Sequence, residues 1–403
     1  MARWRKNLPS RELSIPFKML AGRLSNRGRH ITPFRPLSIE HGSLQIVDGV
    51  PVAHVRGTPR EMGRALGTLV GVQATETFHC YMRHFCPDMQ GDLKLAREME
   101  TRMPEWFIEE MRGFAETSEL TYDELLLGQT FLDIHKVALC STIAVHDRLT
   151  ADGEMLLGRN LDFPSLSIAH EANMVVVHEP DDGPAYAGVT WPGFLGILTG
   201  LNQRGLALSM MLVYGPHRHE HLDGQPFPLV FRRLLRECAG VRQADELLQT
   251  RPFCTRTNLV LADATRTAAR FQLHPQHPVV EYTSDQTPAA TCTNHYFDRR
   301  IKTFAFTWFS SVVRHNKLVR RVKRGEPFDV PAIKRALQAT GIPTINLQRT
   351  IIRPEKLDME VSFKNNGRGP GHWIKLSKEL LFPNATLPQQ VPVEAEAMAA
   401  NTP

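Results

Sequence analysis

Apolar and polar positions divide the chain into blocks of different period. Between residues 36 and 56 they alternate, as in Ser43-Leu44-Gln45-Ile46-Val47 and Pro51-Val52-Ala53-His54-Val55, with Asp48-Gly49 between the runs. Period two with an Asp-Gly step predicts a β-hairpin. From Pro59 to about Ile134, good helix formers carry apolar residues three and four apart, which predicts helix. Pro87 and Pro104 divide this block into at least three helices, and Thr121 with Glu124 forms a capping-box pattern. From Cys140 to about Thr293 short apolar runs predict strands, broken by one helical stretch near 228–248. Asn258–Leu261, Ala268–His274 and Val279–Tyr282 are among these strands. Residues 298–340 return to helical spacing, and Asn346–Ile352 with Met359–Phe363 predict a last strand pair around Arg353-Pro354-Glu355-Lys356. Helices, then strands, then helices predict a layered α+β body.

Composition changes this picture mainly at the ends. Residues 1–30 carry eight basic side chains and one acid, Glu12, a net charge of +7 within a chain total of +6. The remainder is therefore close to neutral, which argues against a nucleic-acid surface on the main body. The organisation expected is a basic disordered tail over 1–35, a hairpin plus helical segment over 36–139, a catalytic core over 140–382, and a second disordered tail over 383–403. No stretch of 18 apolar residues exists, and no apolar signal-peptide core follows the basic start. A cytoplasmic location is expected on that basis, with the basic N-terminus as a candidate contact for anionic membrane. Six cysteines at 80, 86, 140, 238, 254 and 292, with no Cys-x-x-Cys pair, suggest free thiols.

Chemistry concentrates after Leu139. Cys140-Ser141-Thr142-Ile143-Ala144-Val145 reads as a strand, Thr150-Ala151-Asp152-Gly153 as a turn, and Glu154-Met155-Leu156-Leu157-Gly158 as the returning strand. The return delivers Arg159-Asn160-Leu161-Asp162-Phe163 beside Cys140. A cation near a thiol favours thiolate, the reactive form.

These residues resemble a family. Cys-Ser-Thr at 140–142 with Gly-Arg-Asn-Leu-Asp-Phe at 158–163 resembles the start of a mature cysteine N-terminal-nucleophile (Ntn) hydrolase. This group includes the isopenicillin-N acyltransferases, choloylglycine hydrolases and acid ceramidases. Gly200-Leu201-Asn202-Gln203-Arg204-Gly205-Leu206, Thr293-Asn294-His295, and the run from Gly57-Thr58-Pro59-Arg60-Glu61-Met62-Gly63 to Gly67 resemble further motifs of the group, the last two of its acyltransferase branch. The resemblance implies a four-layer αββα sandwich and autocatalytic cleavage of Leu139–Cys140. Cys140 is then the nucleophile and its own α-amine the base, with no cofactor and no metal. It implies that Asp162 orients the amine, that Arg159 supports the thiolate, and that Asn294 supplies an oxyanion donor. Arg314 is the candidate for a further functional arginine, with Arg299 and Arg300 as rivals.

The implied reaction is cleavage of a linear N-acyl amide through a thioester, with transfer to water or an amine. A membrane-associated lipid amidase and a catalytically silent binding relative are the alternatives. Leu212 stands where bile salt hydrolases place a second asparagine, which moves the resemblance towards the acyltransferase branch. Phe163, Trp191 and Phe194 suit an apolar acyl group and equally a core. Asn202 is explained by a hairpin turn alone, and His217, His219 and His221 by a polar loop.

Overall fold

The computed structural model describes residues 19–214, 224–250, 253–275, 277–298, 308–364 and 371–388. Strands β1 (Leu37–Ile39), β2 (Gly42–Val47) and β3 (Val50–Gly57) precede helices α1 (Pro59–Phe85), α2 (Met89–Glu100), α3 (Glu105–Thr117) and α4 (Tyr122–His135). Strands β4 (Leu139–Asp147), β5 (Gly153–Asp162), β6 (Met174–Pro180), β7 (Tyr186–Thr190), β8 (Thr199–Asn202) and β9 (Ala207–Leu212) follow. Then come α5 (Phe227–Glu237), α6 (Val241–Gln249), β10 (Thr257–Ala262), β11 (Ala268–Leu273), β12 (Val279–Tyr282) and β13 (Ala289–Cys292). Helices α7 (Trp308–Lys323) and α8 (Val330–Thr340) and strands β14 (Asn346–Arg353), β15 (Asp358–Phe363) and β16 (Ile374–Leu376) complete the order.

Two sheets result. One has ten strands in the order β1-β2-β3-β6-β7-β8-β9-β10-β11-β12, the other six in the order β13-β4-β5-β14-β15-β16. Strands β4, β8, β9, β10, β13 and β14 bring the sheets face to face. Helices α1 and α5 cover the outer face of the large sheet, and α7 and α8 that of the small one. This is the αββα layering that the resemblance implies. All pairings are antiparallel except β3 with β6, which run parallel. That pair joins the hairpin ahead of Cys140 to the body after it.

Local signals explain the element ends. Thr58 and Glu61 close a capping box on α1, and Thr121 and Glu124 do the same on α4. The β4–β5 turn is closed by Gly153 at φ 76°, in the left-handed region glycine tolerates. The helical stretch expected at 228–248 is two helices, because Cys238 takes an extended conformation between them.

Residues 19–35 depart from the expected disordered tail. Residues 19–25 are helical, Asn26 is buried and donates to the Leu166 carbonyl, and Ile31 is buried. Glu171 accepts from the Ile31 amide at 3.1 Å and Glu76 from the Thr32 amide at 2.7 Å. A basic, weakly apolar segment is held here by hydrogen bonds to distant acids, which composition does not reveal. Residues 1–18 and 389–403 lie outside the described residues, as do His217, His219, His221, Arg299 and Arg300. Among the described residues no helix is long and apolar enough to cross a membrane.

Candidate active site

Strand register assembles the site. Cys140 lies opposite Leu161, Thr142 opposite Arg159, and Leu139 opposite Asp162. Side chains alternate across a strand. Ser141 reaches Thr340 of α8, whereas Thr142 reaches Ser209 and Met211 of the large sheet. Cys140 shares the inter-sheet face with Thr142, and there Arg159 Nη2 lies 3.3 Å from its Sγ. Arg159 is itself held by Thr199 Oγ1 and by the Met210 carbonyl at 3.2 Å.

The main chain of Cys140 is gripped from the helical side. Its amide donates to Asn294 Oδ1 at 2.8 Å. Arg314 Nη2 donates to the same oxygen at 2.8 Å, and Arg314 Nη1 donates to the Cys140 carbonyl at 2.6 Å. Asn294 follows β13, which pairs with β4, so its place at the strand end follows from register. Its own amide is pinned by Ser311 Oγ at 2.8 Å, and its Nδ2 donates to the Leu212 carbonyl at 2.8 Å. Two donors on one side and a carbonyl on the other fix the orientation of this side chain.

Asp162 is buried. Its Oδ1 accepts from the Ile342 amide at 2.9 Å and from Asn346 Nδ2 at 2.8 Å. Its Oδ2 has no hydrogen-bond donor and faces Arg314 Nη1 at 3.8 Å. Burial raises its pKa to about 6, and Arg314 limits the rise. Burial also raises the Cys140 thiol above its ordinary value, with Arg159 pulling it down less strongly. Arg159 thus favours thiolate in the direction expected from the sequence, and burial in the intact chain opposes it. In a fully enclosed thiol, desolvation outweighs one guanidinium.

Cys140, Arg159, Asp162, Asn294 and Arg314 thus converge. Asn294 Oδ1 accepts from the Cys140 amide, and its Nδ2 spends one of two hydrogens on the Leu212 carbonyl. Asn202 is structural, as its turn implied: its Oδ1 accepts from the amides of Arg204 and Leu206, and its Nδ2 donates to the carbonyls of Leu235 and Cys238. Sequence reasoning missed Thr199, Ser311 and Asn346, which hold Arg159, Asn294 and Asp162. It also missed Tyr214, whose hydroxyl donates to the Ala138 carbonyl at 3.0 Å, two residues before Cys140. No local pattern marks any of these four.

An apolar cleft of about 640 Å³, counting its open mouth, is lined in part by Phe163, the residue after Asp162. Helices α1 and α4 supply Phe78, Met82, Phe131 and Leu132, and the loop after β7 supplies Trp191 and Phe194. The Phe163 ring lies 5.1 Å from Trp191 and 5.6 Å from Tyr81, centroid to centroid.

A four-layer sandwich with a buried cysteine at the head of a central strand defines the class of architecture. Residues 149–326 match the family described as acyl-coenzyme A:6-aminopenicillanic acid acyl-transferase. That stretch holds Arg159, Asp162, Asn294 and Arg314, while Cys140 precedes it. The chain therefore resembles the cysteine Ntn hydrolases, as its motifs implied. An uncharacterized protein of Archaeoglobus fulgidus is 28% identical over 233 residues, 50% of this chain and 38% of its own length. An N-acylethanolamine-hydrolyzing acid amidase of Cavia porcellus is 27% identical over 107 residues, 27% of this chain and 29% of its own length. The chain spans about half the length, or less, of the curated relatives it matches. The solved structure of a Caenorhabditis elegans ortholog of that amidase aligns with a TM-score of 0.42 at 15% identity, over 53% of this chain and 93% of the other.

Proposed function

We propose that this chain is an autoprocessed cysteine amidohydrolase or acyltransferase acting on linear N-acyl amides. The observation that carries the reading is the cluster around Cys140: Arg159 on its sulfur at 3.3 Å, Asn294 on its nitrogen at 2.8 Å and Arg314 on its carbonyl at 2.6 Å. The acyl-transferase family match to residues 149–326 supports it.

In processing, Cys140 Sγ attacks the Leu139 carbonyl carbon. The Leu139–Cys140 C–N bond breaks, and water hydrolyses the resulting thioester to leave residues 1–139 and a free Cys140 amine. In turnover that amine takes the thiol proton as Sγ attacks the substrate carbonyl, then gives it to the leaving amine as the amide C–N bond breaks. Water or an acceptor amine cleaves the thioester and restores the thiol. An α-amine titrates near 7.7–8.0 unperturbed, and the neighbouring Arg314 cation favours its neutral, basic form. Asn294 Oδ1 holds one amine hydrogen. Asp162 Oδ2, without a donor in the uncleaved chain, is the acceptor for another. The apolar cleft suits the hydrocarbon part of an acyl group.

Intact mass and N-terminal sequencing of purified protein test the reading. A fragment beginning Cys-Ser-Thr is expected from the wild type, and only the intact chain from Cys140→Ala. A wild-type preparation that turns over an N-acyl amide series as an intact chain overturns the N-terminal mechanism.

A further inference from the structure

Three helix ends meet behind the cleft wall, at side chains with no role assigned above. Cys86 caps the C-terminus of α1, Asp92 lies in the first turn of α2, and His135 is the last residue of α4. Their ligand atoms lie within 4.8 Å of one another. His135 Nε2 is 2.7 Å from Asp92 Oδ2 and 3.3 Å from Cys86 Sγ. Met82 Sδ is 3.2 Å from the same sulfur. The Cys86 residue and the Asp92 and His135 side chains are each no more than 4% exposed.

The arrangement is not that of a catalytic relay. A relay places its nucleophile on one imidazole nitrogen and its carboxylate on the other. Here sulfur and carboxylate both address Nε2. The geometry is instead a buried convergence of one sulfur, one imidazole nitrogen and one carboxylate oxygen on a common point. A cation among them would meet all three donors.

We propose that Cys86, Asp92 and His135 form a structural zinc site. Thiolate, imidazole and carboxylate are zinc's usual donors, at about 2.0–2.3 Å, and zinc accepts the tetrahedral disposition that three helix ends can offer. Binding displaces the Cys86 thiol proton. The metal ties α1 and α2 to the end of α4, five residues before Cys140 and beside the cleft wall at Met82 and Phe131. The proposal is independent of the reaction assigned to Cys140.

The test uses full-length protein, processed or not as it is obtained. Chelator-stripped protein is titrated with Co²⁺ without oxygen, then with Zn²⁺. About one equivalent of tetrahedral cobalt is expected, with a near-ultraviolet thiolate-to-metal band that zinc abolishes. The band should persist in Cys140→Ala and vanish in Cys86→Ser. His135→Gln should weaken binding by at least tenfold. Zinc should raise the melting temperature of the wild type and not of Asp92→Asn. Cobalt bound without a thiolate band, as a histidine-only site gives, overturns the proposal. So does a band that survives Cys86→Ser, or stripped wild type that takes up no cobalt. The wild-type titration alone decides if a variant does not fold.

Discussion

Each side chain around Cys140 has one task set by its partners. Asn294 ties the Cys140 nitrogen to Arg314, so Asn294→Ala removes the amine's acceptor along with any donor to the reacting carbonyl. A loss of roughly 10²–10³ in rate is expected, with the melting temperature little changed. A full rate across substrates would remove Asn294 from the mechanism. Asp162 gives a pH signature. Its carboxylate, with a pKa near 6 through burial, must be ionised to accept from the amine. Rate is therefore expected to fall as pH drops through about 6, because protonation converts the acceptor into a neutral acid. Residual turnover in Asp162→Asn should lack that limb. Persistence of the limb in the variant would assign it to another group.

At the scale of elements, the glycines of the Gly57-to-Gly67 motif act through packing. A Cβ on Gly63 of α1 would stand 2.1 Å from the Glu110 carbonyl of α3, and one on Gly67 2.6 Å from the Phe114 carbonyl. From the other side, a Cβ on Gly113 would stand 2.2 Å from the Arg60 carbonyl. At Gly63 and Gly113 the obstructing atoms are backbone, so the helices cannot yield as a flexible side chain would. Gly63→Ala is expected to destabilise by about 1–3 kcal/mol through overpacking. Helix propensity alone predicts the opposite sign, a gain of roughly 1 kcal/mol. Thermal or urea unfolding of this one variant separates the two.

Across the whole molecule, the segment before Cys140 is built into the body. Strand β3 pairs with β6, and Glu110 of α3 forms a fully buried ion pair with Arg232 of α5. Tyr186 accepts from the same guanidinium, and His178 Nε2 lies 3.3 Å from Glu110. On the proposed cleavage at Leu139–Cys140, the two pieces are therefore expected to copurify and to separate only in denaturant. Glu110→Ala should cost about 3–5 kcal/mol, because it strands a buried guanidinium. Acid should loosen the same contact. Burial and Arg232 hold His178 down to about 4, so the stability it contributes is complete above pH 6.5 and lost as pH falls through 4. Glu110 is pushed up by burial but held near 2 by Arg232 and His178, so its contribution is lost between 4.5 and 2. Asp133, raised by burial to about 7, acts in the opposite sense over the same acid range. The clean readout is a difference: His178→Asn should unfold with a shallower pH dependence between 6.5 and 4 than the wild type.

The sequence by itself determined most elements and one strand pair of the site. Breaks at Pro87 and Pro104, the Thr121 cap and the Asp48-Gly49 and Asp152-Gly153 turns are local chemistry, and each falls where its residues require. The hairpin around Asp152-Gly153 also put Arg159 and Asp162 beside Cys140, because a short turn fixes register. Tertiary structure alone decided which face of β4 Cys140 occupies. That strand is buried on both sides from Cys140 to Val145, so its pattern carries no direction. It also decided the orientation of the Asn294 side chain, whose oxygen and nitrogen bond Arg314 and Leu212. The parallel pairing of β3 with β6 and the contacts of Asn26 with Leu166 and Ile31 with Glu171 join segments more than a hundred residues apart, and nothing near either segment encodes the other. The burial that opposes thiolate formation arises in the same way. A nearby arginine can be read from sequence, but the desolvation that outweighs it exists only once both sheets close over Cys140.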